Sequence, residues 1–220
     1  MHGLLPGDVI SGNIAFHGFY DLALSRRIVQ LAQKRSVFVD VGANMGYFSL
    51  LWAGSTPSGR VIAFEAAPRN IMLMKNNVSK NRLADRITLV PKAAGKHLGT
   101  IAFDAGPADQ TGWGGISAAV SSTTIDVPLV RLDQELPDSL IDVLKIDVEG
   151  ADTWVLFGCE ALLREKRIGT IFFEQNEGRM EALGIDSKEA QTFLRDLDYT
   201  CVPFEGDQEG WIAYPNPGQA

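Results

Sequence analysis

Four carboxylates occupy positions where an alternating strand and helix chain can gather them: Asp40, Glu65, Asp147 and Glu149. Asp40 lies near the end of a β-branched and aromatic run, Val37, Phe38, Val39 and Val41, just before Gly42 and Gly46. Such a run is the pattern of a strand covered on both faces, and the glycines allow positive φ and close backbone approach. A carboxylate at that bend repels a phosphate and attracts a cation such as an amino group. Glu65 ends the next strand, near the ~20-residue spacing at which an acidic residue reaches ribose hydroxyls. Asp147 and Glu149 follow a further strand, where one carboxylate can orient a reacting group and another can take its proton.

The bend at residues 37–49, VFVDVGANMGYFS, fails as a dinucleotide fingerprint. Counting from Gly42, the second and third glycine positions of G-x-G-x-x-G fall on Asn44 and Tyr47. The ligand expected instead carries positive charge and a diol but no phosphate, and S-adenosylmethionine has an ammonium, a sulfonium and a ribose. Gly42, Ala43, Asn44 and Gly46 would then surround its methionine portion together with Asp40. Glu65 and Ala66 would take the ribose side. An ordinary strand-to-helix turn, with Asp40 as a helix cap, is the competing reading. For Glu65 the competing reading is a charge at a helix start.

The strings VDVGANMGYFSL, FEAAP at 64–68 and LKIDVEGAD at 144–152 together resemble the FkbM family of S-adenosylmethionine-dependent methyltransferases, and GFYD at 18–21 is similar to that family's lead-in segment. The resemblance spans roughly residues 17–173. It implies O-methylation of a hydroxyl on a saccharide or secondary metabolite. It also implies a class I methyltransferase fold, an α/β Rossmann-like three-layer sandwich. Its mostly parallel seven-stranded sheet has the order 3-2-1-4-5-7-6 and ends in an antiparallel hairpin. Two other classes stay open: a nicotinamide- or nucleotide-sugar-linked oxidoreductase, and a non-catalytic module that binds S-adenosylmethionine.

The chain has 220 residues, 45% of them hydrophobic, enough for one catalytic domain over 1–220 with a full core. A formal charge of −7 argues against general nucleic-acid binding, which needs clustered Lys and Arg. Two cysteines, Cys159 and Cys201, are too few for a secreted disulfide framework, and their flanks predict burial. With no run of about 18 apolar residues, the expectation is a cytoplasmic protein without a membrane partner. Oligomeric state cannot be read from the sequence.

Strands are expected at 60–64, 87–90, 141–146 and 168–173, and an antiparallel pair at 199–204 and 210–214. Helices are expected at about 70–81 and 151–166. A last one should be opened by Asp186 and Glu189 as a capping box. Residues 1–35 read as a lid segment leading into the fold. Residues 101–103 and 125–130 are candidate paired strands, with 104–124 as a substrate-side loop. In that loop Trp113 either covers a ligand or plugs the sheet edge.

Ligands of open α/β sheets bind beyond the carboxyl ends of strands, which places the chemistry at LKIDVEGAD. Asp147 would orient the methionine amino group or hold the acceptor hydroxyl; Glu149 would act as base or cap the next helix. A structural charge network with Lys145 is the alternative. Ala93, in PKAAG at 91–95, is placed beside adenine, with Lys92 an unexpected neighbour for it. Tyr20 either covers the methionine end or packs. His17 and His97 are weaker candidates for the base. Glu174, Asn176 and Glu177 supply further oxygens, but no D-D or D-x-D motif follows the strands, so the site is expected to be metal-free.

Overall fold

The computed structural model describes residues 1–117, 119, 121–122, 124–136 and 138–217. Residues 118, 120 and 123 of the substrate-side loop, residue 137, and 218–220 at the end of the expected domain lie outside it.

The first strand, β1 (Val37–Val41), lies at the centre because both of its faces are apolar. It pairs in parallel with β2 (Arg60–Phe64) on one side and β8 (Ile141–Ile146) on the other. Beyond β2 lies β3 (Ile87–Val90), and beyond β8 lie β9 (Ile168–Glu174), β11 (Gly210–Pro215) and β10 (Tyr199–Pro203). The order β3-β2-β1-β8-β9-β11-β10 is the expected 3-2-1-4-5-7-6 when these seven strands are counted in chain order. Five strands are parallel, and β10 and β11 form the antiparallel hairpin.

Alternation along the strands sends successive side chains to opposite layers. Phe38, Val143 and Phe172 face α2 (Leu22–Ala32), α3 (Tyr47–Ser55) and α4 (Pro68–Lys80). Val39, Leu144 and Ile171 face α5 (Leu132–Glu135), α6 (Asp152–Phe157), α7 (Glu160–Arg164) and α9 (Glu189–Asp196). Among the described residues these are the three layers that the sequence predicts.

A second sheet explains the departure from simple alternation. β5 (Gly99–Asp104) and β7 (Thr124–Val130) pair antiparallel as anticipated. β4 (Ala93–Ala94) and β6 (Gly115–Ile116) flank them. This sheet turns Ala93 and Phe103 toward Ala67 of the main body.

Four local expectations need correction. The helix expected at 151–166 is broken, because Gly158 passes so close to Gly95 that an added Cβ would lie 2.2 Å from the Gly95 carbonyl oxygen. The last helix starts after Lys188 without a side-chain cap. Asp186 Oδ1 instead accepts the Lys188 N–H at 2.7 Å, so no capping box forms. Residues 1–35 are not all lid: α1 (Val9–His17) lies over the site, whereas α2 buries Leu24, Ile28 and Ala32 in the core. A helix that the sequence did not announce, α8 (Glu177–Leu183), is capped by Asn176, whose Oδ1 accepts the Arg179 N–H. Cys159 is buried as expected, whereas Cys201 is only half-buried; both are free thiols.

Because Gly158 has no room for a methyl group, Gly158→Ala is expected to lower the unfolding free energy by about 1–3 kcal/mol in urea denaturation, the usual cost of overpacking.

Candidate active site

At the carboxyl ends of β1, β2 and β8 lies a cleft of about 980 Å³, counting the part open to solvent. Its floor begins at Gly42, with φ 76°, where an added Cβ would sit 1.8 Å from the Asp147 carbonyl oxygen. Only glycine lets the β1 turn pass this close to the end of β8. Gly42 and Ala43 N–H groups both donate to the Phe64 carbonyl at 3.0 Å, tying the turn to β2.

Glu65 is held by the backbone. Its Oε2 accepts the Asn44 N–H at 2.7 Å and its Oε1 accepts the Ala67 N–H at 2.7 Å. Burial pushes its carboxyl above the usual range, and these N–H groups pull it back. Each oxygen keeps a second lone pair, and Glu65 lines the cleft, so the carboxylate can accept from a ligand diol.

Asp40 departs from its expected place. It is fully buried, and it does not line the cleft. Its Oδ2 accepts the Ser49 hydroxyl at 2.6 Å, and its Oδ1 faces Lys145 Nζ at 3.5 Å with no hydrogen-bond donor of its own. Lys145, also buried, reaches Asp147 Oδ2 at 3.2 Å, so one ammonium bridges a carboxylate beneath the cleft and one on its wall. Burial alone lowers the Lys145 pKa, but Asp147, Asp40 and Glu174 outweigh it and hold the ammonium charged, above its ordinary value.

Glu149 stands on the wall beside Asp147, with its backbone in the left-handed region at φ 57°. A non-glycine residue there costs of order 1–3 kcal/mol. Burial and the charge of Asp147 push its carboxyl up to about 7, against the pull of Arg179, whose Nε lies 3.5 Å away. Glu174, on the same wall, is raised by the charge of Asp147 and by burial. Asp152, behind them, is pushed up to about 7 by burial and by Asp147. It accepts the Val148 and Glu174 N–H groups, which fixes the ends of β8 and β9.

Of the expected residues, Gly42, Asn44, Glu65, Ala66, Ala93, Asp147 and Glu149 therefore meet in one cleft with Tyr20 and Glu174. Ala43 and Gly46 shape the turn without lining the cleft, Gly46 as the left-handed residue before α3, against Met74. Lys92 lines it, but its Nζ is paired with Glu135 at 2.7 Å. His17 and His97 are off the wall. Asn176 is used as a cap, and no group of three His, Cys, Asp or Glu side chains able to hold a metal occurs among the described residues.

Sequence reasoning offered residues 1–35 as a lid and Trp113 as a possible cover, but not the bonds that assemble them. Asp8 caps α1 through the Ser11 N–H and accepts the Thr111 N–H and hydroxyl at 2.7 and 2.9 Å. Arg69 donates to the carbonyls of Pro107 and Gln110, both at 2.7 Å. These bonds draw Val9, Ile10, Thr111, Gly112 and Trp113 over the cleft. Trp113 is half exposed there, as a cover rather than a plug. The available signal was the P-G-D sequence before an apolar run, a helix start at 8–9.

The strand order, with an acid-lined, glycine-floored cleft at its reversal point, is that of the class I methyltransferase fold. Residues 40–201 match the family described as the methyltransferase FkbM domain, and the chain belongs to that family. Methyltransferase sdnD of Sordaria araneosa is 29% identical over 161 residues, covering 56% of this chain and 60% of that protein. Methyltransferase FkbM from Methylobacillus flagellatus KT has a TM-score of 0.56 at 17% identity, covering 81% of this chain and 43% of that one. The Podospora anserina methyltransferase PaMTH1, solved with S-adenosylhomocysteine (SAH), has a TM-score of 0.55 at 11% identity, covering 88% and 78%. The chain thus spans well under two thirds of the first two relatives.

S-adenosylmethionine is the cofactor of this class, and the residues of the cleft fit it: Glu65 could accept from a diol, Asp147 with Glu149 and Glu174 would attract positive charge, and the wall's lysine, Lys92, is already paired. The nicotinamide-linked alternative falls with the family assignment. No helix among the described residues is long and apolar enough to cross a membrane.

Removing one partner from a buried ion pair leaves the other uncompensated. Lys145→Met is therefore expected to cost about 3–5 kcal/mol in chemical denaturation. Asp40→Asn combined with it should cost less than the sum of the two single changes.

Proposed function

We propose that the chain is an S-adenosylmethionine-dependent O-methyltransferase acting on a hydroxyl of a small saccharide or secondary metabolite. The observation that carries this reading is the pair Asp147 and Glu149 on one wall, with Glu149 poised near neutrality. When bound, the cofactor supplies a methyl group on a positively charged sulfur.

The residues of the chain bind, align and deprotonate. Glu65 takes the ribose hydroxyls; Ala66 and Ala93, with Phe103 behind them, leave an apolar slot for a flat ring. Gly42, Asn44 and Asp147 border the methionine end, and Asp147 is held in place by Lys145. Glu149 accepts the proton of the acceptor hydroxyl at its carboxylate, and Arg179 keeps that carboxylate aimed. Trp113 offers a flat face to an acceptor at the mouth and, with the cover, limits water. Alignment contributes of order 7–11 kcal/mol to such a displacement, and a general base about 10²–10⁴-fold.

A base must be unprotonated to act. Since Glu149 has a raised pKa, the rate is expected to climb as pH rises through about 7 and then to level. Glu149→Gln should lose about 10²–10⁴-fold in kcat and abolish that rise, measured with labelled methyl donor against a panel of polyhydroxylated acceptors. A parent-like rate in this variant removes Glu149 from the chemistry.

Glu65→Ala should weaken S-adenosylmethionine binding by at least about tenfold in calorimetry, the loss of a charge-assisted pair of hydrogen bonds. Unchanged affinity would overturn the ribose assignment.

A further inference from the structure

One buried acceptor on the cleft wall has no donor. Asn70 lies in the first turn of α4, five residues after Glu65, and is 4% exposed. Its Nδ2 donates to the Thr111 carbonyl at 2.9 Å, which fixes the orientation of the amide, since a carbonyl can only accept. Its Oδ1 is left buried and without a hydrogen-bond partner among the described residues, although Asn70 lines the cleft. Buried acceptors are nearly always satisfied in folded proteins, so an orphan on a residue that lines a ligand cavity calls for a donor that the described residues do not supply.

Neighbouring contacts identify the donor. Asn70 holds Thr111; the next residue, Gly112, is packed so that an added Cβ would lie 3.9 Å from Asn44 Nδ2; and the Asn44 N–H is bound to Glu65. Asn70 and Glu65, five residues apart, thus line the same cleft, with Thr111 and Asn44 as their respective partners. Ala93, at the slot for the flat ring, is carried instead by the second sheet. We propose that Asn70 reads a ribose hydroxyl of the bound nucleoside through Oδ1 while its Nδ2 holds the cover at Thr111.

One side chain then joins cofactor to cover. Asp8 anchors the same Thr111 from α1, so a hydroxyl donating to Asn70 stiffens the support of the segment that closes the cleft. This assignment rests on the reading of the cleft as the nucleoside site.

The test compares SAH with its 2′-deoxy and 3′-deoxy analogues by calorimetry, in the parent and in Asn70→Ala. The parent should bind SAH and lose affinity for both analogues. In Asn70→Ala, SAH should bind about tenfold more weakly, and for one analogue the penalty relative to SAH should shrink by a similar factor. An equal loss for all three ligands means that only the cover has loosened and overturns the proposal, as does no loss. Asn70→Asp keeps an acceptor oxygen and gives up the Thr111 contact; it should retain the preference for the hydroxyl, and losing that preference also overturns the proposal. Failure of the parent to bind SAH would instead sink the nucleoside reading itself.

Discussion

Everything at the carboxyl end of the sheet depends on one buried ammonium. Lys145 pairs in register with Asp40 across β1 and β8 and reaches Asp147 at the strand end. Neither strand could bring its acid here alone: Asp40 has no solvent to offset its charge, and Asp147 would repel Glu149 and Glu174 without a counterion beneath. Lys145 also rests over the ring of Phe48 at 5.3 Å, which couples the charge to the packing of α3. The site is therefore an extension of the core, set by the register of β1 and β8.

Rigid backbone does the rest. The closeness of Gly42 to the Asp147 carbonyl fixes the distance between the two binding strands. Glu65 is clamped by N–H groups from both sides, so it meets a ligand already oriented. Against this fixed floor, the cover is assembled from distant parts of the chain: Asp8, Arg69, Asn70 and the segment around Thr111. Floor and cover thus differ in kind, one built by strand pairing and the other by side-chain bonds between loops.

Strands and the Glu65, Asp147 and Glu149 positions were legible because apolar runs and short motifs are local in sequence, and the sheet order followed from the family resemblance those motifs carry. Asp40 was legible as important and misread in role: a carboxylate at a strand end reads the same whether it faces a ligand or a lysine, and the partner lies more than a hundred residues away. The break at Gly158 was hidden because the helical apolar pattern continues through it, while its cause, Gly95, is remote. The bonds that assemble the cover were hidden for the same reason. Thr111, Gln110 and Asp8 have meaning only once α1 crosses the cleft, and nothing in periodicity announces contacts of that range.

Acids crowded on one wall set a proton balance for binding. Burial and then the charge of Asp147 raise Glu149, and the charge of Asp147 and then burial raise Glu174; a cation arriving on this wall offsets the charge and lets them ionise. Calorimetry of S-adenosylmethionine binding near pH 6.5, in buffers of different ionisation enthalpy, measures this directly. Net proton release is expected, larger than with SAH, whose sulfur is uncharged. Binding heats that do not depend on the buffer, or protons taken up, would contradict it.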